Sequence, residues 1–314
     1  MPVERTRWLP VAVAAVVLAA LAAVPLVLGP YPRALVTQAL ISAIFAMSLD
    51  LLLGYTGLPS LGHGCYFGVA AYAVAILTTR FQVGFWGCLA AAIVLVGSLG
   101  AVFGLVALRA RGVYFLMITL ALAMVVWGLA YRWVDLTNGD NGISGITGPE
   151  LGLPWSFADR RNFYYLSLVA FVAVFALLFL VVRSPFGKSL QGIRESEERM
   201  ASLGYHVWLH KYLAFVIAAA LAGVAGTLWA YYNNFVSPVD VGFINSVEVL
   251  LMVALGGPGT VVGPVLGAAV LVFVKNFVAL YTQRWLFIVG GIYVCLVLLR
   301  PGGIVRATSQ AQTR

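Results

Sequence analysis

The sequence predicts an all-α integral membrane protein, a polytopic bundle of about ten transmembrane helices, some of them short or broken. Of the 314 residues, 62% are hydrophobic and only 10% are charged, whereas soluble proteins carry about 25% charged residues. Apolar runs near the roughly 20 residues that cross about 30 Å of hydrocarbon recur along the chain. They lack the alternation of outer-membrane barrels, so we expect a single transmembrane domain over residues 1–314.

The apolar runs define the predicted helices in order. The third and eighth are short, which fits tilted or partly buried helices. The first follows Arg5 and Arg7 and also has features of a signal peptide, but the length of its apolar run favours an uncleaved helix. The ten ranges are 10–28, 34–53, 65–79, 86–108, 112–131, 163–182, 212–232, 246–257, 261–280 and 285–299.

Basic residues are distributed unevenly between the two sides of this bundle. With the N-terminus inside, the predicted cytoplasmic segments hold 12 basic residues and the opposite segments hold 7, Lys275 among them. By the positive-inside rule, we expect both termini and the mixed-charge loop 184–210 in the cytoplasm, and the connection 132–161 outside. The net charge of +8 arises from many short loops, so it does not indicate binding to nucleic acid.

Two similar segments, 199 residues apart, form a possible internal repeat. Both read LL followed by G-x-P-x4-G-x3-G-x-A, beginning at Leu51 and at Leu250. Gly and Pro in such segments break helices inside a bundle and free backbone groups to line a transport pathway. Close helix packing through small residues is the alternative interpretation.

Ionisable residues at membrane depth are the first candidates for function, because each costs about 2.5–3.5 kcal/mol at a helix centre. Asp50 lies near the end of the second predicted helix, and Glu248 opens the eighth. For each of them, helix capping is the alternative role. His63 stands between two glycines, where it is a proton carrier, a substrate contact or a packing residue.

The sequence shows no nucleophile–base pair and no cluster with metal-ligand spacing, so we expect neither an enzyme nor a metal site. Gly187-Lys188-Ser189 is not a P-loop, because residue 182 is Val where that motif needs Gly. No cofactor is therefore expected on this chain. Transport against a gradient would draw its energy from ions or from a partner.

The loop 184–210 contains a second set of candidates. The sequence from Leu190 to Leu203 predicts one helix, which Gly204 ends. The residues before it, 184–187, are predicted to form a turn. Within it, ERMASLG has the E-x5-G spacing of the loop by which ABC importer permeases contact their ATPase.

Longer segments resemble the LivM-type permease subunits of branched-chain amino acid ABC importers. They lie in the family's order over roughly residues 35–304 and include SLDLLLGYTGLPSLGHG from Ser48, TNGDNGISGI from Thr137, SPFGKSLQGIRESEE from Ser184 and EVLLMVALGGPGTVVGPVLGA from Glu248. The resemblance implies a bacterial inner membrane, a second related permease, two cytoplasmic ATPases that use ATP, and an extracytoplasmic solute-binding protein.

The resemblance also implies roles for single residues. The ATPase-coupling positions would be Arg194, Glu195, Glu197, Glu198, Ala201 and Gly204, although Arg199 and Met200 depart from the general E-A-A form. We expect alternating access, with a substrate pathway lined or shaped by Asp50, Tyr55, Gly57, Ser60, His63, Glu248, Gly256 and Gly257.

The expected cargo is a branched-chain or other aliphatic amino acid. A urea or short-chain amide permease of the same kind is the nearest alternative. An alternative from another class is an ion-coupled secondary transporter in which Asp50, His63 and Glu248 are the coupling groups.

Overall fold

The computed structural model describes residues 5–149, 157, 159–281, 287–288, 290–291 and 303–304, with side chains from residue 16 onward. Most of the predicted helix 285–299 and part of the connection 132–161 lie outside these residues. Within them, seven helices are long and apolar enough to cross a membrane by length and composition. Two shorter apolar stretches, Val16–Val27 and Phe243–Gly256, accompany them.

The chain is helical through nearly all of its described length. In order, the elements are α1 Arg5–Val27, α2 Pro30–Asp50, a π-helix Leu51–Thr56, α3 His63–Phe81, α4 Phe85–Ala107, α5 Val113–Arg132, α6 Val134–Thr137, a 3-10 helix Gly139–Asn141, β1 Ile143–Ser144, α7 Arg160–Arg183, α8 Pro185–Glu195, α9 Glu197–Ser202, α10 Val207–Asn233, β2 Phe235–Val236, α11 Pro238–Val241, α12 Phe243–Gly256 and α13 Val262–Tyr281.

These helices confirm the predicted helical bundle and shift several predicted bounds. Helix α10 begins five residues before the predicted start at 212. The third helix is longer than predicted, with 19 residues, whereas α12 is short, with 14. Hydropathy therefore locates the apolar part of each helix, but it does not detect a first turn made of polar residues.

Helices α2, α3 and α10 form the centre of the bundle. Side chains of α2 such as Ile41 and Ile44 are fully buried, and 78% of the most apolar window of this span is buried. Backbones approach closely here, since a Cβ added to Gly226 of α10 would lie 2.0 Å from the Phe67 carbonyl oxygen of α3. Helices α4 and α5 surround this centre and expose most of their apolar surface.

Successive connections lie at alternate ends of the bundle. One end, here called the coupling end, carries residues 184–206, which we call the coupling segment. Arg194 from this segment contacts Gly54 and Gly259. Gly303 also lies there, because a Cβ on it would be 2.4 Å from Gly257 Cα.

The opposite end gathers the remaining connections. Arg80, at the end of α3, donates to the carbonyl oxygens of Asp135 and Leu136. Strands β1 and β2 pair in antiparallel register, with Ile143 opposite Val236, and tie the connection 132–161 to the residues after α10. The alternation puts the start of α1 at the coupling end, where residue 303 also lies.

The structure corrects the single coupling helix predicted over 190–203. Two helices are present, α8 and α9, separated by Ser196 in an extended conformation (φ −161°, ψ 107°). Ser196 Oγ accepts from the backbone N–H of Arg199, as a serine N-cap does. The predicted turn at 184–187 is instead the first turn of α8, with Ser184 as N-cap and Pro185 at the first helical position.

Candidate functional site

The first helix break follows Asp50, where α2 widens into the π-helix Leu51–Thr56. A π-turn adds one residue per turn and is frequent at functional sites. Gly57 then adopts a left-handed conformation with φ 75°, which glycine tolerates without steric cost. Residues 57–62 continue without helix, with Leu58, Ser60 and Gly62 buried, before α3 begins at His63. The chain therefore carries irregular backbone inside the bundle, as predicted.

The second break lies between α12 and α13. Gly257 and Gly259 have φ values of 107° and 83°, and Thr260 Oγ1 accepts from the N–H of Gly263 in the first turn of α13. Helices α3 and α13 begin at His63 and Val262, which are 199 residues apart. The helix starts thus agree with the predicted repeat. The glycine geometry does not, since Gly57 is left-handed while its counterpart Gly256 is helical.

The two breaks meet at what we call the junction, formed by Asp50, Gly54, Gly57, Arg194 and Gly259. Asp50 is 2% exposed, and its Oδ1 accepts from the backbone N–H of Gly259 at 2.9 Å. A Cβ on Gly54 would lie 2.0 Å from that oxygen and 2.2 Å from the Gly259 nitrogen. Only glycine at position 54 permits this contact.

Arg194 brings the coupling segment into the junction. Helix α8 buries Leu190 and Ile193 against the bundle, which presents Arg194 to the break. Its Nη1 donates to the Gly54 carbonyl oxygen, and its Cγ would lie 3.1 Å from a Cβ on Gly57. One arginine thus contacts the π-helix, the residue that ends it, and the second break.

A second tie joins the coupling segment to α10. Glu197 of α9 pairs with Lys211, whose side chain is only 10% exposed. The other predicted coupling residues, Glu195, Glu198, Ala201 and Gly204, are exposed. Such an arrangement holds the segment to the bundle from one side and leaves its other side free to bind a partner.

The remaining predicted pathway residues of the first break are buried. Tyr55 lies beside a narrow cavity lined by Asp50 and Val261. Ser60 Oγ accepts from the N–H of Gly62. His63 is fully buried, with Nε2 2.8 Å from Ser48 Oγ and its ring stacked on Phe45. The His63 contacts fit the packing role named above, and the pathway roles of all three residues stay predictions.

The glycines of the second break make backbone contacts. A Cβ on Gly256 would lie 1.9 Å from the Gly263 carbonyl oxygen, and Gly257 packs against Gly303. These contacts fit the packing interpretation of the repeat glycines. A pathway role for Gly256 and Gly257 also stays a prediction.

Glu248 lies apart from the junction, in what we call the polar groove. Lys275 Nζ donates to both carboxylate oxygens of Glu248, at 2.8 and 3.1 Å. The groove encloses about 170 Å³ and is lined by Gln38, Ser42, Phe45, Phe67, Trp229, Val239, Asp240, Ile244, Asn245, Glu248, Met252, Leu271, Val272 and Lys275. Glu248 is in the second turn of α12, so its role extends beyond helix capping.

Asp240 completes the charge of the groove. It lies in α11, in the connection between α10 and α12, and accepts hydrogen bonds from Trp229 Nε1 and the Ser237 N–H, both at 2.9 Å. Burial raises the pKa of Asp240 above its usual range, and these hydrogen bonds oppose the rise. These hydrogen bonds hold the Asp240 carboxylate within the fold, whereas Glu248 pairs with the ammonium of Lys275.

Sequence reasoning missed Gly54, Gly259, Asp240 and Lys275. The charge count groups Lys275 with the opposite segments, although the predicted helix 261–280 contains it, and the structure has it within α13. Its signal was available, because a lysine inside an apolar helix calls for a buried partner. Within the described residues, no group of three or more His, Cys, Asp or Glu has the arrangement of a metal site.

Comparisons with known proteins agree with this architecture. A family model described as the permease component of branched-chain amino acid transport systems matches residues 31–298. The chain is similar to the high-affinity branched-chain amino acid transport system permease protein LivM of Escherichia coli (strain K12), with 34% identity over 294 residues that cover 87% of this chain and 69% of that protein.

More distant relatives include permease proteins named LivM and LivH. The probable branched-chain amino acid transport permease protein LivM of Methanocaldococcus jannaschii is 25% identical over 316 residues, covering 83% of this chain and 89% of that protein. The permease protein LivH of Escherichia coli (strain K12) is 24% identical over 287 residues, covering 84% and 90%. No solved structure matches the chain.

Proposed function

The chain belongs to the family of branched-chain amino acid transport permeases, and from this membership we propose that it imports aliphatic amino acids with energy from separate ATPase subunits. It is a multi-pass membrane permease. Its proposed cargo is leucine, isoleucine, valine or a similar amino acid, and its proposed location is a bacterial inner membrane.

The observation that carries the proposal is the contact of Arg194 with both helix breaks. Helix α8 lies across the coupling end, and its arginine contacts Gly54 and Gly259, while Glu197 ties α9 to α10. A partner that moves this segment must therefore move the π-helix, the second break and α10 together. ATP-driven closure of two ATPases on the exposed side of 184–210 supplies such a movement.

The proposed mechanism is alternating access without covalent chemistry. Similarity to both LivM and LivH relatives supports a heterodimer of two related permeases, with the cargo path between them. We place the coupling end in the cytoplasm, because the predicted cytoplasmic segments carry the larger share of basic residues. The connection 132–161, at the opposite end, is then the surface for an extracytoplasmic solute-binding protein.

The assembly is tested by purifying the tagged chain from its native membrane in mild detergent and identifying the proteins that accompany it. We expect a second permease and one or two ATPases. Recovery of the chain alone, together with amino acid uptake into liposomes without ATP, would overturn the proposal and favour the ion-coupled alternative.

The coupling assignment is tested by changing the exposed residues Glu198 and Gly204 to alanine together. The double variant should lose ATPase association and uptake, because Glu198 faces the partner and Gly204 has φ 88°, which alanine rarely adopts. Asp135→Ala, exposed at the opposite end, is the control and should keep ATPase association. If uptake and association both survive the double change, 184–210 is not the ATPase contact.

A further inference from the structure

The polar groove holds an ion pair where lipid would be a poor neighbour. Glu248 and Lys275 sit within the apolar helices α12 and α13, and their side chains remain 15% and 28% exposed. Charged groups at such positions face a bundle interior or a water-filled space, because contact with hydrocarbon is costly. The pair therefore lies where water can reach it, at the edge of the groove.

We propose that this groove binds the charged end of a zwitterionic amino acid, with Lys275 contacting the α-carboxylate and Glu248 the α-ammonium. The proposal rests on the proposed function and specifies which groups recognise the cargo. It also assigns the cargo class, since a zwitterion fits this pair and a neutral urea or amide does not.

The charges of the groove complement those of a zwitterion. The ammonium of Lys275 spans both oxygens of Glu248 at 2.8 and 3.1 Å, and an amino acid presents the same two groups on one carbon. Insertion of the zwitterion exchanges one ion pair for two and leaves the net charge unchanged. Charge-assisted hydrogen bonds are about twice as strong as neutral ones. The hydrogen bonds that a neutral amide makes are therefore too weak to offset the free energy needed to open the ion pair.

The rest of the groove suits an aliphatic side chain. Its volume of about 170 Å³ far exceeds the roughly 10–15 Å³ that one water molecule needs. Its apolar wall includes Phe45, Phe67, Trp229, Ile244, Met252 and Leu271. A solute held at its charged end by Glu248 and Lys275 can lay its side chain along this wall.

Neighbouring polar groups hold the groove in shape and are already engaged. Asn245 Nδ2 donates to the Asp240 carbonyl oxygen at 2.9 Å, and Asn276 Nδ2 donates to Gln38 Oε1 at 3.2 Å. The Asp240 carboxylate accepts from Trp229 and Ser237. These bonds occupy polar groups around the groove, and the Glu248–Lys275 pair itself lines the cavity.

The test uses the whole importer, with both permeases, the ATPases and the binding protein, reconstituted in liposomes. Lys275→Met and Glu248→Gln should each raise the KM for leucine uptake at least about tenfold. ATP hydrolysis stimulated by the loaded binding protein should change less than about twofold. Unchanged uptake by both variants would overturn the inference, whereas a wild-type importer that takes up no branched-chain amino acid would overturn the proposed function instead.

The charge-swapped pair separates binding from a structural role. Glu248→Lys combined with Lys275→Glu restores an ion pair and should restore the Tm lost in the single variants. It should not restore uptake, because the charges meet the zwitterion in reversed order. Recovery of uptake together with Tm would show that the pair only holds α12 to α13.

Direct binding gives a readout apart from transport. Displacement of radiolabelled leucine from the detergent-solubilised importer, without its binding protein, is measured with unlabelled leucine, leucinamide and isocaproate. Leucine should compete at least about tenfold better than leucinamide, which offers only the ammonium, or isocaproate, which offers only the carboxylate. Equal competition by all three would overturn the inference.

Discussion

The junction and the polar groove lie in the same bundle but hold their charged residues in different ways. In the junction, Asp50 accepts a hydrogen bond from the Gly259 N–H, and Arg194 donates one to the Gly54 carbonyl oxygen. The backbones approach so closely there that position 54 has no room for a Cβ. In the groove, Glu248 and Lys275 bind each other and stay partly exposed.

This difference separates two tasks of a transporter. A charged side chain that binds backbone moves with that backbone, so the junction is suited to transmit displacement from the coupling end. A side-chain ion pair beside a cavity can open without moving a helix, so the groove is suited to contact a solute. Junction variants should therefore uncouple ATP hydrolysis from uptake, and groove variants should weaken solute binding.

The largest effect is expected from Gly54→Ala. The added methyl group would lie within 2.2 Å of both Asp50 Oδ1 and the Gly259 nitrogen, so the hydrogen bond between the breaks must open. Overpacking of this kind costs about 1–3 kcal/mol, and uptake should fall more than about tenfold. Uptake and Tm are measured together in the reconstituted importer.

Gly97→Ala is the matched control for this change. Gly97 lies in α4, and a Cβ there meets nothing within 4 Å. Alanine in an open helical position gains up to about 1 kcal/mol over glycine, so Tm and uptake should hold or rise. Equal losses in the two variants would show that position 54 is sensitive only because it is helical.

The second largest effect is expected from Arg194→Ala. The lost hydrogen bond from a charged donor is worth about 1.5–3 kcal/mol, and uptake should fall by up to about tenfold. The ATPases should still bind through the exposed residues of α9. The number of ATP molecules hydrolysed per amino acid imported should therefore rise.

Arg80→Ala is the control for Arg194, because Arg80 also donates to backbone carbonyls, at the opposite end. It should lower Tm without changing the ratio of ATP to amino acid. If both arginine variants change this ratio alike, the junction has no special part in coupling.

The contrast between the two regions also explains what the sequence could predict. Apolar runs predict the helices, and Gly/Pro spacing predicts the breaks near 57 and 257, because these signals are local. The contact of Gly54 with Gly259 joins residues 205 positions apart, and no local pattern specifies it. No pattern in the sequence pairs Lys275 with Glu248, because hydropathy gives the length of a helix but not the neighbours of each residue.

A third, smaller effect is expected from Asp50→Asn. The amide keeps an oxygen that accepts from the Gly259 N–H, so the geometry of the junction survives and uptake should fall less than about threefold. Asp50→Ala removes the acceptor and should behave like Gly54→Ala. Loss of uptake in Asp50→Asn, with proton-dependent uptake in the wild type, would support the ion-coupled alternative.

The smallest effect on uptake is expected from Trp229→Phe, which keeps a ring against Phe67 but removes the donor to Asp240. The KM for leucine should rise about two- to threefold, because Asp240 only shapes the groove. The clearer consequence concerns pH. Burial holds the pKa of Asp240 above its unfolded value of 3.8. The contribution of this carboxyl group to the free energy of unfolding is therefore fully present below about pH 4 and is lost as the pH rises through the folded pKa.

Removing the Trp229 hydrogen bond raises the pKa of Asp240 further, so this loss of stability should extend to higher pH. The measurement is Tm between pH 4 and pH 8 for both proteins, which should differ least at the acidic end of this range, because protonation of the carboxyl group removes the effect of its raised pKa. Trp127→Phe, on α5 and outside the groove, should lower Tm equally at every pH. A pH-independent difference for Trp229→Phe would mean that Asp240 is fixed by the backbone of α11 alone, and the groove would then resemble the junction.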